Sequence, residues 1–243
     1  MSTLWISHRG ESSLAPENTV SAFRLARQSG SDGSECDIYL TSDHKIIVSH
    51  DNTTARMGDI PLPIEQSSFD QLRAVKIANW NPQFPNERLA TLDEALDELG
   101  SQRIFYIELK GSNPELVPAL RDNLAARNVS PSQIVLISFN ADLLAACKEL
   151  MPQYKTLFLM NFQNYPDFQI LIDLLHKIHA DGIDAHCAEF DGMADTFQQL
   201  HNEGFYIALW TVDTPGLAKR LIHAGADAIT SNAASSLKKL LQA

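Results

Sequence analysis

Hydrophobic positions along the chain follow two alternating rhythms. Short runs of β-branched, aromatic and aliphatic residues recur, and between them apolar residues return every three or four positions, the pattern of strands alternating with amphipathic helices. Eight strands are predicted, at approximately 4–8, 33–40, 103–110, 134–139, 155–160, 182–187, 205–212 and 228–230. Helical spacing occupies 18–29, 92–99, 114–127, 141–150, 168–179, 193–203 and 216–224. Strand–helix units repeated in this way build parallel sheets, and eight of them predict an α/β fold of the TIM (β/α)8 barrel class.

One interval breaks the rhythm. Residues 41–90 hold a further strand, 45–50, followed by a proline- and asparagine-rich stretch, 60–88. This predicts a small insertion after the second strand, within a single barrel domain spanning 1–243. Barrels of this class build their active sites at the carboxyl ends of the strands, so the insertion is expected to form one wall of a cleft.

Polar residues matter most where they interrupt the strand pattern. Side chains alternate faces along a strand, so Glu35 and Asp37 point to one side of their strand together, and Glu108 and Lys110 do the same on theirs. A parallel barrel strand is covered on both sides, where an unpaired charge costs several kcal/mol. Three carboxylates converging on one cation would remove that cost. Oxygen ligands of this kind suit a divalent cation such as Mg²⁺, Ca²⁺ or Mn²⁺ rather than zinc. His8 and His50 each end a strand, so two imidazoles able to exchange protons near neutral pH are expected beside the cation. Arg9 and Lys110 supply fixed positive charge for phosphoryl oxygens. The set suits metal-assisted attack on a phosphodiester, with His8 and His50 as an acid–base pair. Ser138, Phe139 and Trp210, also at strand ends, are candidates for the cleft wall, and His186 is a further strand-end residue. Asp213-Thr214-Pro215 looks like a helix N-cap with proline in the first turn.

Composition narrows the partners. The formal net charge is −11 and no basic run interrupts it, so nucleic acid is not an expected partner, whereas a small anion needs only a local positive site. Cys36, Cys147 and Cys187 are odd in number and far apart, which fits free thiols in a reducing compartment. Residues 1–5 carry no basic segment leading into a long apolar stretch, no run approaches a membrane span, and the expected location is cytoplasmic. A homo-oligomer is compatible with the sequence but not indicated by it.

The ordered motifs resemble a known family. His8-Arg9-Gly10, Ala15-Pro16-Glu17-Asn18-Thr19 with Ala22-Phe23, Glu35-Cys36-Asp37 with Leu40-Thr41-Ser42-Asp43, and His50-Asp51 resemble the amino-terminal signature of the glycerophosphodiester phosphodiesterases of the bacterial cytosolic type. The likeness continues more thinly through 87–92, Glu108-Leu109-Lys110, Ser138-Phe139 and Trp210-Thr211-Val212. It implies a TIM-type barrel, hydrolysis of glycerophosphodiesters to sn-glycerol 3-phosphate and an alcohol, and a divalent cation. It also implies His8 and His50 as the acid–base pair, Glu35, Asp37 and Glu108 as metal ligands, and Arg9 with Lys110 as the phosphate clamp. Departures occur at His44, where the family usually has glycine, and at Ala90, where it usually has proline. Asp213 stands where asparagine is frequent, and Thr230-Ser231-Asn232 where Thr-Asp and a proline turn are frequent; both place substrate choice in question. Phospholipase or lysophospholipase D-like chemistry on the same barrel is the alternative, which an exposed apolar rim at Phe69, Trp80 and Phe84 would favour. A catalytically silent phosphodiester-binding protein ranks last, because both histidines are present.

Overall fold

The computed structural model describes residues 2–77, 83–100, 103–111, 113–165, 167–187 and 193–242. Among them the strands are β1 (Leu4–Ser7), β2 (Gly33–Leu40), β3 (Ile46–Val48), β4 (Ile104–Leu109), β5 (Ile134–Ser138), β6 (Lys155–Met160), β7 (Gly182–His186), β8 (Tyr206–Trp210) and β9 (Ala228–Ser231). All except β3 are parallel and run in the order β1-β9-β8-β7-β6-β5-β4-β2. β1 also pairs with β2, Ile6 opposite Gly33, and this closes the cylinder. The fold is a TIM-type (β/α)8 barrel.

Strand alternation separates the molecule into two apolar layers. Ile6, Tyr106, Val135, Ile137, Leu157, Leu159, Ala208 and Ala228 point inward and fill the barrel. Their neighbours in sequence, among them Trp5, Cys36, Ile38, Phe105, Ile107, Leu136 and Ile183, point outward and pack under the helices. Every residue of β2 is buried, so its charged residues have nowhere to go but the barrel interior. The helices are α1 (Val20–Ser29), α2 (Phe69–Ala74), α3 (Leu92–Asp97), α4 (Leu116–Ala126), α5 (Ala141–Leu150), α6 (Phe168–Lys177), α7 (Met193–Asn202), α8 (Pro215–Ala224) and α9 (Ala234–Gln242). Helix α9 lies beyond the predicted helices; it packs on β1 and β9 and draws the two ends of the barrel together.

Residues 41–90 begin with β3, which lies antiparallel on the end of β2, Ile38 opposite Val48. The turn between them places His44 at φ 58°, a left-handed conformation that accounts for glycine being usual there. Tyr39, Ile47, Ile64, Leu72, Ile77 and Leu89 make a separate small core, with Phe69 packed against it. Phe69 therefore belongs to that core rather than to an apolar rim, and Phe84 is half-buried. Trp80 lies outside the described residues. Thr91 caps α3 in a reciprocal capping box with Glu94.

Candidate active site

Just past the end of β1 the chain turns sharply, with Arg9 at φ 57° and Gly10 at φ 77°. A Cβ on Gly10 would lie 2.5 Å from the backbone carbon of Ala22, so only glycine lets this loop rest on α1. The turn aims the Arg9 backbone N–H at Glu35, whose Oε2 accepts it at 3.0 Å. Asn18, also left-handed at φ 59°, donates from Nδ2 to Asp37 Oδ2 at 2.8 Å. Asn18 thus belongs to the site rather than to the start of α1, which Thr19 caps.

Glu35, Asp37 and Glu108 converge on the inner face with oxygens within 4.8 Å of one another, and all three are buried. β2 and β4 are in register at Asp37 and Glu108, which sets these two side by side. Lys110 Nζ donates to Glu108 Oε1 at 2.9 Å and stands 3.6 Å from Asp37 Oδ1. Arg9 Nε lies 3.5 Å from Asp37 Oδ2. Two cations therefore face three carboxylates. Burial and then the charge of Asp37 hold Glu35 well above the usual carboxylate range, and the same causes push Glu108 up to about 8. Asp37 is held low, because Lys110, Arg9 and His50 together outweigh the effect of its burial. Asp37 Oδ1 is buried without a hydrogen-bond partner. An orphaned carboxylate oxygen beside two further buried carboxylates is what a hard cation would satisfy, and the donor set fits Mg²⁺, Ca²⁺ or Mn²⁺.

His8 and His50 line the same cleft as Arg9, Glu35, Glu108 and Lys110. His8 Nδ1 is 2.8 Å from Asn232 Oδ1, and His50 Nδ1 is 2.7 Å from Asp51 Oδ1. Burial, followed by the charge of Arg9, lowers the His8 pKa. Asp51 also accepts from Arg56 Nε at 2.6 Å, Arg56 reaches Glu17 at 2.7 Å, and Glu17 accepts from Arg9 at 2.9 Å. This chain of ion pairs links the segment 41–90, which delivers His50 and Arg56, to the loop that delivers Arg9.

The opposite wall is apolar and aromatic. Ile137, Phe139, Leu159 and Trp210 line it together with Asp184 and Thr230. Phe139 meets Trp210 edge-on at 5.8 Å between centroids, and the half-exposed ring of Trp210 also contacts His186 at 5.2 Å. Ser138 contributes no free hydroxyl to this wall. Its Oγ donates to the Leu109 carbonyl at 2.8 Å and accepts from Asn140 N at 3.1 Å, which joins β5 to β4 and to the start of α5.

Asp184 faces the cleft from β7 with Oδ1 unpartnered, and burial pushes its carboxyl up to about 8. Its folded-state pKa lies above the unfolded value, so the stability its protonated form allows is present at low pH and lost as pH rises toward 8. Asp184→Asn is therefore expected to leave the melting temperature near that of the wild type at pH 4 and to raise stability at pH 8 by on the order of a few kcal/mol. Equal melting curves at pH 8 would show that Asp184 is solvated in the folded state.

The model of the glycerophosphoryl diester phosphodiesterase family matches residues 8–235, from the first histidine of this site to the start of α9. The chain belongs to that family. A glycerophosphodiester phosphodiesterase of Caldanaerobacter subterraneus subsp. tengcongensis is 27% identical over 248 residues, covering 100% of this chain and 99% of its own. A solved glycerophosphodiester phosphodiesterase from Parabacteroides distasonis is 26% identical with TM-score 0.80, over 99% and 97% of the two chains. An Oleispira antarctica phosphodiesterase, solved in complex with the product sn-glycerol-3-phosphate, superposes with TM-score 0.89 at 24% identity over 98% of this chain and 96% of that one, a likeness of fold.

Family membership leaves two of the departures to be located. Asp213 is not the N-cap of α8: Thr214 holds that position without a side-chain cap bond, with Pro215 in the first turn. Asp213 instead accepts from Ser231 Oγ, Asn232 N and Asn232 Nδ2. Asn232, at the end of β9, in turn meets His8. Four residues without an assigned role thus shape the site: Asn18 and Glu17, present in the amino-terminal motif, Asn232, marked in the sequence only as part of a departure from the family pattern, and Arg56, for which no local signal exists.

Proposed function

We propose that this family member hydrolyses glycerophosphodiesters to sn-glycerol 3-phosphate and an alcohol, using a divalent cation and the pair His8 and His50. The observation that supports this most is the convergence of three buried carboxylates, two cations and two histidines in one cleft. Glu35, Asp37 and Glu108 would hold the cation. When bound, a divalent cation neutralises this carboxylate cluster and polarises a phosphoryl oxygen. Arg9 and Lys110 grip the remaining phosphoryl oxygens and counter the charge that builds in the transition state. One histidine takes the proton of the attacking group, either water or the substrate's own neighbouring hydroxyl with water then opening the cyclic phosphate, and the other donates to the departing alkoxide. The aromatic wall of Phe139 and Trp210 packs against the carbon skeleton of the substrate.

The packing of Phe69 within residues 41–90 speaks against a lipid-binding rim there, and so against the lysophospholipid reading. We read those residues as an insertion within a single domain. Cys36 and Cys147 are buried thiols outside any disulfide, which supports a reducing, cytoplasmic setting, and no helix among the described residues is long and apolar enough to cross a membrane.

The test is release of sn-glycerol 3-phosphate from glycerophosphoethanolamine, first in chelator and then with Mg²⁺, Ca²⁺ or Mn²⁺ restored. Metal-dependent release is expected. Absence of release by the folded protein under every metal would overturn the substrate assignment, and equal release in chelator would overturn the role of the carboxylates.

A further inference from the structure

We propose that Asp213 and Asn232 are positioning residues for His8: Asp213 fixes the orientation of the Asn232 amide, and that amide fixes which nitrogen of His8 carries the hydrogen. The inference rests on the reading of His8 as a proton-transfer group. It concerns two of the positions at which this chain departs from the family pattern, and it gives them a shared task.

A carboxylate only accepts hydrogen bonds. Asp213 takes Asn232 Nδ2–H on Oδ2 at 2.6 Å, while its Oδ1 takes the Asn232 backbone N–H and Ser231 Oγ–H, both at 2.9 Å. The amide of Asn232 is thereby oriented with its nitrogen toward Asp213 and its oxygen away. That oxygen meets Ser12 Oγ at 2.9 Å and His8 Nδ1 at 2.8 Å. An amide oxygen has no hydrogen to give, so His8 Nδ1 must be the donor. In the neutral ring Nε2 is then left with its lone pair, which makes His8 the member of the pair ready to accept a proton. A reversed amide would present N–H to Nδ1, move the hydrogen to Nε2 and remove that capacity. The hydrogen bond joins residues 224 positions apart, so closure of the barrel through β1 and β9 assembles the relay.

The experiment compares the imidazole ¹⁵N shifts of His8 in metal-free wild-type, Asp213→Asn, Asn232→Ala and Asp213→Asn/Asn232→Asp proteins at pH 8, with His8→Ala to assign the signals. The wild type is expected to be almost wholly the Nδ1–H form. Asn232→Ala and Asp213→Asn should mix the two forms and lower kcat by about 10- to 100-fold with KM within about threefold, the scale of losing a residue that orients a histidine. The double variant reverses the donor and acceptor of the inner bond while leaving an acceptor for His8. It should regain the Nδ1–H form and return kcat to within about fivefold of wild type. An Nε2–H form in the wild type, or unchanged shifts in both single variants, would overturn the proposal. The shifts are read without substrate, so a protein that fails to cleave glycerophosphodiesters still decides the matter. Melting curves separate misfolding from misorientation, and a double variant that folds but stays in the mixed form also overturns the relay.

Discussion

Glu35→Gln, freed of metal, is expected to melt higher than the metal-free wild type at pH 8 and to be without measurable turnover. The cause is the crowding of carboxylates around Asp37. Burial and that neighbouring charge raise the Glu35 pKa, so the folded protein holds a proton that the unfolded chain has released, and wild-type stability declines as pH rises above the ordinary carboxylate value. Glutamine carries no such penalty and keeps an oxygen for the Arg9 N–H. The order should reverse when metal is added. Ligation requires deprotonated carboxylates, so the wild type should gain about 5–10 °C from saturating Mn²⁺ at pH 8 and much less at pH 5, whereas Glu35→Gln should gain little at either. Activity should fall by at least about 10³-fold, the consequence of several kcal/mol of lost charge stabilisation. Melting curves in chelator and in metal, at both pH values, check this. Equal metal-induced shifts in the two proteins would remove Glu35 from the ligand set.

His8→Ala and His50→Ala should each reduce kcat by about 10²- to 10⁴-fold while leaving the fold intact. His50 is a third exposed and its ring is held by Asp51, so its removal opens little of the core. His8 is more buried, but its pKa is depressed and its anchoring bond is to a neutral amide, so no buried ion pair is broken. If the two act in one proton-transfer sequence, the double variant should be little worse than either single variant, because the first loss already forces the reaction onto an unassisted route. Single-turnover rates and melting curves on all three proteins test the pair. A single variant that keeps more than about a tenth of wild-type activity would sink the acid–base assignment.

The barrel and the convergence of Glu35, Asp37, Glu108 and Lys110 were legible in the chain because both follow from the two-residue period of a strand. Once β2 and β4 are recognised, the facing of each side chain is settled. His8 and His50 were legible as strand ends. What pattern could not convey is which distant groups meet. Asp213 reads locally as an N-cap because Thr214 and Pro215 follow it, yet Ser231 and Asn232, some 18 residues on, take its carboxylate. Ser138 reads as an exposed strand-end hydroxyl, and adjacent backbone groups consume it. Arg56 lies in a stretch without strand or helix period, so nothing local marks its bond to Asp51. Asp184 carries no motif, and its burial becomes visible only when the barrel closes.

Cys36 stands between Glu35 and Asp37 but faces the other way, into the layer under the helices, where it is wholly buried with Phe23, Ile107 and Leu109. A larger side chain there would push on β2 from behind and tilt both acids at once. In this strand a residue that never sees the cleft shares a backbone with two that do, so substitutions at Cys36 are expected to weaken fold and reaction together. A gain in packing on the outer layer is felt by the carboxylates on the inner one.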